Sequence, residues 1–177
     1  MIRVRWILVL VAMTWTAASA QSIGADSWWI TMGGGAATPG DALTMTAGAV
    51  YGKVLESGMV SFRIIGATND NPTVRRWSPT PKTYRLTDYG ILYGPVWPHE
   101  HGYLSAGAGV GLVRTAIEVG NTSAVRSAAS LPVEAQAFWQ FSDFFGAGLY
   151  AFASINGAKS FSGFFLAVQL GVFTPAR

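Results

Sequence analysis

Few residues in this chain could do acid–base, nucleophilic or metal chemistry. Both histidines fall in one short run, His99-Glu100-His101. Such a run could offer two metal ligands, or a base beside a carboxylate. A metal site needs at least one further ligand, and the sequence places none nearby. The run therefore reads as a solvated turn, and no metal or other cofactor is expected. The chain has no cysteine, which removes thiolate catalysis, thiolate metal sites and disulfides. Four charged residues fall in strand-patterned stretches: Arg63, Asp88, Arg114 and Glu134. Arg63, Asp88 and Glu134 share the less apolar register with Gln136, Gln140 and Gln169. Isolated charges in a narrow interior are costly, so this set predicts a paired polar network in preference to a gated ion or proton path. Arg114 is expected near a strand end, reaching an interface. Arg75-Arg76-Trp77, with Lys82 and Arg85, forms a basic cluster in a polar segment. It reads as a solvated loop or as a contact for anionic lipid head groups such as those of lipopolysaccharide.

These residues need a scaffold, and the first twenty are not part of it. Arg3 and Arg5 precede an apolar run, Trp6 to Met13, followed by Ala18-Ser19-Ala20. A basic start, a short apolar stretch and small residues before a cut mark a secretory signal peptide. The apolar run is far short of the roughly 20 residues a membrane-spanning helix needs. Residues 1–20 are thus expected to be removed, leaving 21–177 as one domain. Setting Arg3 and Arg5 aside reduces 12 Lys+Arg to ten, against 9 Asp+Glu. That balance supplies no electrostatic footprint for nucleic acid.

Half of the residues are hydrophobic and only 12% are charged, about half the usual charged fraction of a soluble domain. No helix-spanning apolar run follows residue 20. A greasy exported chain of this kind is best satisfied by a closed β-barrel in lipid, which pairs every backbone group while turning apolar side chains outward. The periodicity agrees. Over Ser130–Phe141, Leu131, Val133, Ala135, Ala137, Trp139 and Phe141 alternate with Pro132, Glu134, Gln136, Phe138 and Gln140. Gly163–Phe173, Tyr103–Arg114 and Phe145–Asn156 show the same period of two. Strands near 27–36, 42–52, 57–66 and 84–94 complete a set of about eight. The second face is mostly Gly, Ser, Ala, Thr and Gln, which suits a crowded interior better than a solvated surface. The expected fold is all-β: a closed antiparallel up-and-down transmembrane β-barrel of about eight strands. Trp28, Trp29, Tyr51, Tyr89, Tyr93, Trp97, Tyr103, Trp139 and Phe141 are read as interfacial girdles.

With both termini periplasmic, the outer loops would be residues near 67–83 and 118–129, plus a short one at Asn156-Gly157-Ala158-Lys159 with a hairpin-turn signature. Inner turns would lie near 53–56, 95–102 and 142–144. In architecture the mature chain resembles the small eight-stranded outer-membrane barrels typified by the OmpA transmembrane domain and OmpX. The stretch LPVEAQAFWQFSDFFGAGLYAFASINGAKSFSGFFLAVQLGVF resembles the closing three strands of such envelope barrels. Two departures stand out: Phe173 is followed by Thr174-Pro175-Ala176-Arg177, where these barrels usually end on an aromatic residue, and Pro132 sits inside a strand. The resemblance implies an outer-membrane location, insertion by the barrel-assembly machinery, and contact with outer-membrane lipids and lipopolysaccharide. It also brings in lipid A deacylases and palmitoyltransferases. The deacylase His-x-Ser pair is missing, and the histidines fall at the periplasmic end, so no catalytic residue is carried over. The leading expectation is a non-enzymatic barrel with a structural or loop-mediated interaction role. The alternatives are a lipid A-modifying enzyme, or a soluble lipocalin-like carrier with Phe164, Leu166, Val168 and Leu170 lining a hollow lumen.

Overall fold

The computed structural model describes residues 26–39, 44–69, 82–99, 101–119 and 122–173. The expected signal peptide, and Arg75, Arg76, Trp77 and Glu100, lie outside the described residues. Nine strands occur among those described: β1 (Trp28–Pro39), β2 (Thr44–Leu55), β3 (Gly58–Thr68), β4 (Lys82–Gly94), β5 (Val96–His99), β6 (Gly102–Val119), β7 (Thr122–Ser142), β8 (Phe145–Asn156) and β9 (Phe161–Val172). Except for β4 and β5, consecutive strands pair antiparallel; β1 also pairs with β9, and β4 with β6. The sheet therefore closes. The β4 and β5 segments are one stave interrupted at Pro95, since both hold the same register against β6, from Tyr93↔Ala108 to Val96↔Ser105. The barrel thus has eight staves.

The facing follows the alternation. Ile30, Phe62, Ile91, Val110, Leu131, Trp139 and Leu166 are exposed on the outer wall, whereas Trp29, Val50, Ile65, Tyr150 and Phe165 are fully buried inside. Phe164, Leu166, Val168 and Leu170 are all exposed, so the hollow-carrier alternative is overturned: the side chains it needed around the axis lie on the outside. The interior is filled by setting glycine beside large rings. A Cβ at Gly33 would come within 2.5 Å of the Phe165 ring, and one at Gly52 within 2.8 Å of the Trp29 indole nitrogen.

Several sequence expectations change. Trp29 and Tyr103 are not girdle residues; they are buried, with their rings 4.8 Å apart. Both share the inward parity of Thr31 and Ser105, which outweighs the preference of aromatics for strand ends. Residues 118–119 and 122–129 belong to strands, not to a loop. Strand pairing continues to Val119↔Thr122, because β-branched and small residues there still favour the ladder beyond the apolar belt. The segment 95–102 also contracts, with β5 adding a short strand. Pro98 pairs with Tyr103 on β6, while β3 already ends against Gly94, so β5 has an open edge where a missing N–H is tolerated. Pro132 stays in register within β7. The pairs to β6 skip Leu131 and Pro132, while those to β8 continue through Pro132↔Ser154. At Asn156 the turn is closed by side-chain capture: Oδ1 accepts the backbone N–H groups of Ala158 and Lys159, at 3.0 and 2.7 Å. Gly157 does not take the positive φ that the Asn-Gly pair suggested.

Candidate functional site

Strand parity directs a set of polar side chains into the tube. Arg63 on β3 and Asp88 on β4 are both completely buried, and their ion pair measures 2.7 Å from Nη2 to Oδ2, with Nε–H donating to the same oxygen at 2.9 Å. Arg63 also spans the lumen, donating at 2.9 Å to the carbonyls of Val133 on β7 and Ala153 on β8. The other Asp88 oxygen accepts the Ser154 hydroxyl at 3.0 Å and that of Ser130 at 3.3 Å. A buried charge pair is tolerated when its remaining hydrogen-bonding capacity is satisfied, and the serines and carbonyls do this.

Glu134 on β7 is the centre of a second group. Its Oε1 accepts the Ser61 hydroxyl at 2.6 Å and the Gln136 amide at 3.0 Å, and Oε2 accepts the Tyr150 hydroxyl. Gly107, opposite Glu134 on β6, leaves room for the carboxylate. The chain of bonds continues downward. Tyr103 donates to Gln136 Oε1 at 3.2 Å and accepts from the Gln169 amide, which also reaches Thr31 Oγ1 at 3.0 Å. The structure thus joins Arg63 to Asp88, and Glu134, Gln136 and Gln169 into a second chain. It leaves Gln140 out: the Nε2 of that residue has no partner among the described residues. Ser61, Tyr103, Tyr150 and Ser154 are members that charge and amide content alone did not single out. Their shared parity with Arg63, Ser105 and Phe152 is the signal that could have found them.

Ring contacts lie toward both ends of the tube. At the end where β1 begins and β9 ends, Trp29 stacks on Phe173 (5.5 Å) and Tyr103 on Phe138 (5.7 Å). At the other end Lys159, in the β8–β9 loop, lies 4.6 Å above the Tyr84 ring of β4.

Of the remaining expected residues, His99, His101, Arg85 and Arg114 lie outside the tube. His101 stacks on Trp139 at 5.4 Å. His99 borders a shallow apolar depression of about 260 Å³ on the outer wall, with Leu104, Ala137, Trp139 and Ala147. No serine or carboxylate is among the described residues lining it, so nucleophilic acyl transfer has no constellation there. Arg85 and Arg114 are exposed on the outer wall. The side chain of Lys82 is not among those described.

The β6–β7 hairpin is the feature that chain order did not announce. On one side its β6 strand is paired with β4 as far as Lys82↔Val119. On the other side β7 meets β8 only from Ser130↔Asn156 onward. Residues 122–129 are therefore bonded to β6 alone, and their other edge has no strand beside it among the described residues. That edge is roughly 25 Å long at about 3.3 Å per residue. Ala124, Val125, Arg126 and Ser127 are exposed along it.

A closed eight-stave ladder with apolar residues outside, a bonded polar interior and short turns at one rim defines the class of small transmembrane β-barrels. Among solved structures, this chain is similar to Ail, the attachment invasion locus protein of Yersinia pestis (TM-score 0.60, 15% identity, 85% of this chain and 100% of that one). It is also similar to Neisserial surface protein A (TM-score 0.60, 11% identity, 84% and 96%). A second structure of Ail, in complex with the heparin analogue sucrose octasulfate, gives a TM-score of 0.58 at 13% identity, over 84% and 99%. At these identities the likeness is one of fold. No protein-family model matches the sequence, and no curated protein matches it.

Proposed function

We propose that this chain is a non-enzymatic outer-membrane barrel, inserted by the barrel-assembly machinery, whose polar lumen acts as a plug and whose β6–β7 hairpin captures an extended segment of an extracellular protein. The open edge of residues 122–129 carries this reading. A row of backbone N–H and C=O groups without a neighbouring strand is a template for strand addition. The edge contains no proline and no lysine to block it. The outer apolar wall supports membrane residence, and the occurrence of this fold in a protein named for attachment and invasion favours an interaction role.

A second copy in the same membrane is a poor occupant. Barrel strands tilt by about 35–45°, so two β7 edges related by an axis along the membrane normal would cross at about twice that angle. Neither a parallel nor an antiparallel ladder forms at such a crossing. An extended peptide from a soluble partner has no such constraint.

The test is selection of twelve-residue peptides from a display library against the folded barrel in detergent micelles. Successive proline variants, Val125→Pro and Arg126→Pro, point the lost N–H alternately toward β6 and toward the open edge. One of the two should abolish capture of the selected peptides while heat-modifiable gel mobility stays that of a folded barrel. Peptides that bind both folded variants as tightly as the parent would overturn the reading.

A further inference from the structure

The open edge of residues 122–129 carries a single charged side chain, Arg126. Arg126 is paired in the ladder with Thr115 on β6, and directly paired residues share a face of the sheet. Thr115 is buried, as is its own partner Leu86 on β4. Arg126 therefore stands on the face of the hairpin that continues the lumen wall, while Val125 and Ser127 turn to the other face. It is exposed and makes no hydrogen bond or ion pair among the described residues. The acids of the adjoining staves do not neutralise it. Glu118 lies on the opposite face, where it pairs with Ser123, and Asp88 is committed to Arg63, Ser130 and Ser154.

A second cation sits at the foot of the edge. Strand β8 ends at Asn156, opposite Ser130, so the 157–160 loop closes directly below residues 122–129. The Asn156 side chain holds the backbone of Ala158 and Lys159, and the Lys159 ammonium lies over the Tyr84 ring. Tyr84, Ile117 and Ala124 form one row of ladder partners on the lumen-side face, and Arg126 is one step below Ala124 on that face. With strands about 4.8 Å apart and about 3.3 Å of rise per residue, the Tyr84 and Arg126 Cα atoms are roughly 12 Å apart. Two long cationic side chains thus serve the same side of the edge.

A strand that adds to this edge, in either direction, sets one residue directly beside Arg126 on the lumen-side face, with Cβ atoms about 5 Å apart. Opposite charges attract across such a pair, and like charges oppose. Resting on the strand capture proposed above, we infer that the captured segment is an acidic extended peptide that places an aspartate or glutamate beside Arg126. Lys159, below, extends the same positive field. The backbone of the edge supplies the ladder, and Arg126 selects the segment and fixes its register.

The twelve-residue peptides selected on the folded barrel are the probe. They should carry Asp or Glu at one fixed position well above its frequency in the starting library. Synthetic copies with that acid changed to its amide should bind about fivefold more weakly at low salt, and the gap should narrow at high salt. Arg126→Glu should reverse the preference, so that a lysine at that position binds better than the acid. Arg126→Gln, which should abolish the preference, serves if the reversal variant no longer shows the gel shift of a folded barrel. Lys159→Gln should reduce the preference without reversing it, and Lys53→Gln, at the opposite rim, should leave it unchanged. Capture that is lost in a proline variant but shows no acidic preference, or a preference that survives in the folded Arg126 variants, would overturn this inference and leave the open edge standing. Failure to capture any peptide would overturn both.

Discussion

The Arg63 guanidinium reaches the Asp88 carboxylate at 2.7 Å although the two are not paired in the ladder: Arg63 lies opposite Gly90, and Asp88 opposite Ile65. The same guanidinium crosses to β7 and β8, so one side chain ties opposite walls of the tube.

Removing one partner should therefore cost far more than removing both. Arg63→Met or Asp88→Leu alone leaves a buried charge without its counter-ion and is expected to destabilise by about 3–5 kcal/mol. The double variant Arg63→Met/Asp88→Leu should recover most of that loss. Urea unfolding in detergent micelles, followed by gel mobility, measures it. Equal losses in single and double variants would show that the pair is not the interacting unit.

Gly90 should not tolerate a side chain. A Cβ there would stand 3.1 Å from the Pro132 ring and 3.2 Å from Leu92, so Gly90→Val overpacks the interior at a cost of about 1–3 kcal/mol. Adding Pro132→Ala removes the ring that obstructs it and should return part of the loss. If the two substitutions were simply additive, Pro132 would not be the obstacle.

Phe173 closes the rim at which the first and last strands pair. It is buried against Trp29, and Phe173→Ala is expected to destabilise by about 3–5 kcal/mol. Near-ultraviolet circular dichroism should lose part of its tryptophan signal in the same variant. An unchanged spectrum and midpoint would place Phe173 outside the packed interior.

The filled interior predicts an electrically silent barrel. Reconstituted in a planar bilayer, the protein should show no discrete conductance steps, because Trp29, Arg63, Tyr103, Tyr150 and Phe165 are buried within the tube. Reproducible steps would mean that a continuous water column passes the Arg63 and Glu134 groups.

The facing of the wall was legible because lipid and a packed interior make opposite demands on successive residues. Leu131 to Phe141 and Phe164 to Val172 display this without ambiguity. Where that contrast ends, so did legibility. Above the belt, Ala124 to Ser127 are exposed on both faces, their alternation fades, and a paired strand reads as a loop. Trp29 and Tyr103 failed for a different reason: an aromatic ring near a strand end suits a girdle and a plug equally, and only its parity decides. Two partners of Glu134 were hidden because Ser61 and Tyr150 come from β3 and β8, strands whose heights relative to β7 depend on the stagger of the closed barrel.

The pairing of Trp28 with Val172 makes the ladder a ring without a privileged first strand. Every other junction joins sequence neighbours, so opening the ring elsewhere exchanges one local hairpin for another. A circular permutant that links Ser27 to Phe173 by a few residues and starts instead within 157–160 should enter membranes as the same cylinder, with its order of assembly moved by one place around the circumference.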